Sequence, residues 1–143
     1  MVTTGHSAGG HLAAMLLAAR WPAWEADLPE KLYRGAVAVS GIYDLEPLRH
    51  APFLNCDLNL TLERVAALSP LYMKPATDAP LVTAVGELES SGFKRQTAEL
   101  GLAWKDVLLK ELVLSGDHHL NTSPRIADRD GPLFKATLDL LRT

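Results

Sequence analysis

Two short apolar runs, GAVAVSG at residues 35–41 and APLVTAVGE at residues 79–87, constrain this chain more than any other feature. Both are continuous rather than alternating, and glycine ends both. A strand that is apolar on both faces needs cover on both faces, the condition of a strand inside a parallel sheet. Two more strands fit the same scheme. Met1 to Thr4 reads as the end of one, broken by Gly5, and VLLKELVLSG as the last, ending near Ser115. Helical stretches alternate with them. From Ser7 a helix runs to Pro22, with Leu12, Met15, Leu16 and Ala19 predicted as its inward stripe. Residues 91–106 predict a second helix that turns Phe93, Ala98 and Leu102 inward, and residues 131–142 a third that starts at Pro132. Residues 42–80 are irregular and carry Pro47, Pro52, Pro70, Pro75 and Pro80, with a short helix at 60–68. Alternating strands and helices predict a parallel α/β sheet with right-handed crossovers. Functional residues in such sheets gather at the carboxyl ends of the strands. That rule selects residues 5–10, 41–44, 86–89 and 116–119.

At 143 residues the chain is expected to form one domain, residues 1–143. Apolar residues make up 48% of it, enough for a core, and the net charge is −3. That balance argues against a nucleic-acid or anionic-membrane surface, since both call for a basic patch. No apolar run approaches the length of about 20 residues that spans a bilayer, and no secretory signal is visible. A reducing, cytoplasmic setting is the expectation. The single cysteine, Cys56, cannot close an internal disulfide and reads as a small buried or half-buried apolar residue. Trp21, Trp24 and Trp104 read as packing residues at helix ends. No cofactor is called for. Asp117, His118 and His119 form a compact trio, but no second cluster at zinc spacing accompanies them, so no metal is expected.

The first of the four strand ends holds the chemistry. Gly5-His6-Ser7-Ala8-Gly9 is a G-x-S-x-G turn between a β-branched lead-in and an apolar helix. A serine hydroxyl is a poor nucleophile unless a base takes its proton. A sharp strand-to-helix turn holds the serine in strained backbone geometry with Oγ raised above the sheet edge. Gly5 and Gly9 are expected where a Cβ would clash across that turn. The helix start aims backbone N–H groups at any oxyanion that forms, and the Ala8 N–H is the expected donor.

The base is sought among five histidines. His6 and His11 lie beside the turn, and His50 lies in the irregular segment. His118 and His119 follow the last strand, where a loop can reach back to Ser7; His118 is placed ahead of His119. An acid should orient the imidazole. Asp44, Glu87, Glu89 and Asp117 all sit at strand ends. Asp117 adjoins the histidine pair too closely to face it well. Glu87 and Glu89 follow the strand expected beside the last one. Glu89 is preferred over Asp44 and Glu87, and the chain order is then Ser, acid, His.

The segments GHSAGGHLA, SGIYDLEPL, Ser69-Pro70, VGELESSGFKRQTAEL and GDHH, taken together and in order, resemble the kynurenine formamidase branch of the α/β-hydrolase superfamily. The resemblance covers nearly the whole chain. It implies a partial α/β-hydrolase fold of about four parallel strands with flanking helices. It also implies acyl transfer from a small formamide of the N-formylkynurenine kind, as in tryptophan catabolism, or from an ester, by Ser7, Glu89 and His118. A small-molecule substrate is the implied partner. Such proteins usually carry aspartate at the position of Glu89, so the glutamate is a departure. The Asp-Pro-Leu acid loop of the related hormone-sensitive-lipase-like esterases is absent.

Members of that branch carry the serine turn near mid-chain, and here it lies at residue 7. The chain is therefore expected to match the C-terminal half of such a protein. It lacks a His-Gly-Gly-type loop to complete the oxyanion hole, and the loss of one donor there costs about 10²–10³ in rate. Its first strand is expected to be an open sheet edge, a template for self-association.

Overall fold

The computed structural model describes residues 1–142. Four strands form one sheet in the order β1-β2-β3-β4: β1 (Val2–His6), β2 (Gly35–Val39), β3 (Leu81–Gly86) and β4 (Leu108–Leu114). Every neighbouring pair is parallel, with Val2 opposite Gly35 and Ala36 opposite Leu81. The two runs that were read as doubly covered strands are buried at every position of β2 and β3. The outer strands are only partly covered, and β4 alternates toward its end, with Leu112 and Leu114 buried and Val113 exposed.

Side chains leave the sheet on two faces. Ala36 and Ala38 join Leu81 on one face, under α1 (Ala8–Ala18) and α6 (Ser91–Ala103). Val37, Val39, Val82 and Ala84 occupy the other, under α8 (Pro132–Arg142), which buries Leu133 and Leu140 there. Pro132 opens α8 as the sequence predicts.

The helix faces differ from the predicted ones. α1 buries Gly10, Ala13, Ala14 and Leu17, whereas Leu12 is exposed and Met15, Leu16 and Ala19 are half-buried. This helix is apolar nearly all round, so periodicity does not choose its inner face. Close approach does: a Cβ at Gly10 would lie 2.7 Å from the Val39 carbonyl oxygen. No side chain fits at position 10 against the end of β2. α6 likewise buries Gln96, Thr97, Leu100 and Gly101 and leaves Ala98 and Leu102 exposed. Two polar residues take the inner stripe because Gln96 Oε1 accepts from the Tyr43 and Asp44 amides at 2.6 and 2.8 Å, and Thr97 Oγ1 donates to the Phe93 carbonyl at 2.9 Å.

Pro22 does not end α1, which stops at Ala18; it lies in the first turn of α2 (Trp21–Trp24), where its missing N–H is harmless. Residues 42–80 hold three short helices rather than one: α3 (Glu46–Arg49), α4 (Pro52–Leu58) and α5 (Leu62–Leu68). Pro47 and Pro52 each stand at a helix start. Leu45, Leu60 and Val65 form a small separate core there. Cys56 is exposed on α4, because none of that helix is buried. Of the tryptophans, Trp104 is buried and donates to the Met73 carbonyl at 2.9 Å, and Trp21 packs on Tyr33. Trp24 does not pack: it is 85% exposed. No helix among the described residues is long and apolar enough to cross a membrane.

Candidate active site

Ser7 stands between β1 and α1 with φ 57° and ψ −118°. Such a backbone costs on the order of 1–3 kcal/mol and persists only where the surroundings enforce it. The Ser7 amide donates to the Val39 carbonyl at 2.9 Å, tying the turn to the end of β2. The glycines divide the work differently from the expectation. A Cβ at Gly5 would sit 2.3 Å from the Gly9 carbonyl oxygen, so Gly5 is required. A Cβ at Gly9 would meet nothing within 4 Å, and Gly10, against β2, is the second tight position. Ala8 begins α1, and the first amides of a helix have no acceptor within it. Its N–H therefore has no acceptor within the helix.

The structure brings Ser7 and Glu89 together through His119. The Ser7 hydroxyl and His119 Nε2 are 3.0 Å apart, and His119 Nδ1 lies 2.7 Å from Glu89 Oε2. Donation from Nδ1 to the carboxylate leaves Nε2 as the acceptor for the serine proton. The Glu89 side chain is fully shielded from solvent. Its other oxygen, Oε1, accepts from the Gly86 amide at 2.9 Å and from the Ser40 hydroxyl. Ser40 directly follows β2 with φ 48°, a second strained serine just beyond a strand. The glutamate therefore does not dangle for its extra methylene: one oxygen is anchored to β2 and β3 and the other meets the imidazole.

His118 is not at this site, contrary to the sequence expectation. It is exposed and caps α7 (His119–Thr122): its Nδ1 accepts from the Leu120 amide at 3.2 Å, and its own amide donates to Asn121 Oδ1 at 2.6 Å. A cap residue turns its side chain along the helix start, so the next residue is the one aimed at the sheet. The loop is fixed from both sides. Asp117, nearly buried, takes a two-pronged ion pair from Arg125 at 2.8 and 2.9 Å, and its carbonyl accepts from the Leu88 amide at 2.9 Å.

The other candidates are engaged elsewhere. Glu87 Oε2 accepts from the Ser115 hydroxyl and the Gly116 amide at 2.8 and 2.9 Å, and these bonds hold its carboxyl below the usual range. Asp44 Oδ1 accepts from the Glu46 amide at 2.9 Å. His11 Nε2 contacts the Leu68 carbonyl at 2.8 Å, and His50 pairs with Glu46 at 2.9 Å. Sequence reasoning missed two contributors. Phe93 stacks on the His119 ring at 4.1 Å between centroids, and His6 meets the same ring at 4.5 Å. His6 is pushed below its ordinary pKa of 6.5, first by burial and then by the neighbouring His119. Phe93 stood on the predicted inner stripe of its helix, a signal that could have pointed to packing on the site.

Four parallel strands, a serine at the tip of the first and an acid and a histidine beyond the third and fourth are the layout of an α/β-hydrolase fold. No family model matches the chain. It is 34% identical over 146 residues to a kynurenine formamidase of Danio rerio and 30% identical over 145 residues to one of Salmo salar. Each match covers 96% of this chain and 48% of the relative. A crystal structure of a proposed thioesterase from Silicibacter sp. superposes with a TM-score of 0.80 at 30% identity, over 94% of this chain and 49% of that one. The chain has the α/β-hydrolase fold, and its sequence is similar to those of kynurenine formamidases. It spans about half the length of the curated relatives it matches.

Proposed function

We propose that this chain carries the reactive centre of a serine hydrolase that cleaves a small formamide of the N-formylkynurenine kind, or a simple ester. Ser7 attacks the acyl carbon while His119 Nε2 takes its proton. Glu89 holds the imidazole and balances the charge it acquires. The Ala8 N–H steadies the oxyanion. His119 then returns the proton to the departing amine or alcohol, and water releases formate or another acid from Ser7. The carrying observation is the continuous hydrogen-bonded chain from Ser7 through His119 to buried Glu89. The similarity to kynurenine formamidases favours the formamide, and the fold neighbour described as a thioesterase keeps esters in view. An exposed free Cys56 fits the reducing cytoplasm as the setting.

The test is a fluorophosphonate probe, which phosphonylates an activated serine with loss of fluoride. Wild-type chain is expected to be labelled at Ser7. Ser7→Ala should take no label at that position, His119→Ala should slow labelling by about 10⁶, and Glu89→Gln by about 10⁴. His118→Ala should label as wild type. Folded wild-type protein that takes no label would mark the chain as a hydrolase fold without turnover. Hydrolysis of N-formylkynurenine beside p-nitrophenyl acetate then separates formamidase from esterase.

A further inference from the structure

Two hydrogen bonds hold the His119 imidazole, one at each nitrogen. They fix the line from Glu89 to Ser7 but leave the ring free to roll about that line. Roll matters because the acceptor lone pair of Nε2 lies in the ring plane, and hydrogen bonds weaken steeply off axis. The bonds that fix its loop hold the His119 backbone but not the roll of its ring, and 27% of the side chain is exposed. Contacts on the ring faces must supply that restraint.

We propose that Phe93 and His6 are positioning residues whose rings clamp His119 in the plane that serves Ser7. The inference rests on the serine-hydrolase reading and goes beyond it. Phe93 stacks nearly parallel to the imidazole, at 22° and 4.1 Å. It comes from the first turn of α6, which is rooted in the core by Leu100 and Trp104. His6 comes from β1, immediately before Ser7, and tilts 41° against the same ring at 4.5 Å. The clamp thus references His119 to two rigid elements outside its own loop, β1 and α6. His6 Nε2 is buried without a hydrogen-bond partner.

Phe93 has a second effect. The face of an aromatic ring attracts a cation. When His119 takes the serine proton it becomes an imidazolium lying on that face. The other charges nearby do not compete for this place. Lys94 reaches the Glu87 carbonyl, Arg95 pairs with Glu99, and Asp117 is held by Arg125. Glu89 and His6 remain as the ionisable groups in contact with the ring.

The experiment reads two quantities on the whole chain: the NMR titration midpoint of the His119 ring and the rate of fluorophosphonate labelling. Phe93→Leu and Phe93→Met should lower the midpoint by about 0.5–1 and slow labelling about tenfold. Phe93→Tyr should restore both, which a general packing role would not require. His6→Ala should slow labelling and broaden the His119 ring signals. The proposal is overturned if folded Phe93→Leu or Phe93→Met keeps the wild-type midpoint and rate, or if Tyr rescues neither. Should one variant fail to fold, the other and His6→Ala decide. If wild type takes no label, the hydrolase reading fails, and the titration still decides the clamp.

Discussion

Ser40 shows how much of this site depends on residues that take no part in bond making. Its hydroxyl and the Gly86 amide share one oxygen of Glu89, and the other oxygen is left for His119. A hydrogen bond to a charged group contributes about 1.5–3 kcal/mol. Ser40→Ala is therefore expected to lower urea stability by about 1–3 kcal/mol and to slow fluorophosphonate labelling without removing it. His6 carries the pH dependence at this scale. Its pKa in the folded chain lies below 6.5, so the unfolded chain takes up that proton first as the pH falls. Stability is lost from about pH 6.5 downward, until His6 also protonates in the folded state. His119 and Glu89 are the ionisable groups that bear on it. Urea midpoints between pH 7 and pH 5 should fall more steeply for wild type than for His6→Phe; equal slopes would contradict this. Ser7 and Glu89 were legible in the sequence because strand ends and chain order single them out. His118 was preferred over His119 and the structure reverses that choice, because it turns on which of two neighbours caps a four-residue helix. That depends on Asn121 Oδ1 meeting the His118 amide, a contact with no periodic trace.

Among the elements, the strands were the legible part and the helix faces were not. A strand buried on both sides announces itself as an unbroken apolar run, and β2 and β3 lie inside the two runs that showed it. α1 has apolar residues on every side, and α6 spends two polar residues on its inner face. Hydrophobic period alone then points the wrong way, since the deciding quantities are the approach distance at Gly10 and the amides awaiting Gln96. The consequence is measurable. Leu100 is fully buried and Leu102 is 75% exposed on the same helix. Leu100→Ala should cost about 2–5 kcal/mol in unfolding free energy, and Leu102→Ala less than about 0.5 kcal/mol. A denaturation series on the pair checks this directly, and comparable losses would mean that α6 is rotated from the orientation described.

At the scale of the molecule, stability is unevenly spread. The central strands are buried at every position and lie between two apolar layers, whereas residues 46–68 rest on the small cluster of Leu45, Leu60 and Val65. α4 buries nothing and exposes Phe53. Amide hydrogen exchange should be slowest in β2 and β3 and fastest in α4, with the ratio spanning several decades. Uniform protection through residues 46–68 would refute that ranking. The sheet also has a border with chemical meaning. β1 hydrogen-bonds to β2 on one side, and among the described residues no strand lies on its other side. A strand laid along that margin would finish beside His6 and Ser7. If occupancy of the margin changes the affinity of the serine corner, linkage requires occupancy of the corner to change the affinity of the margin by the same factor.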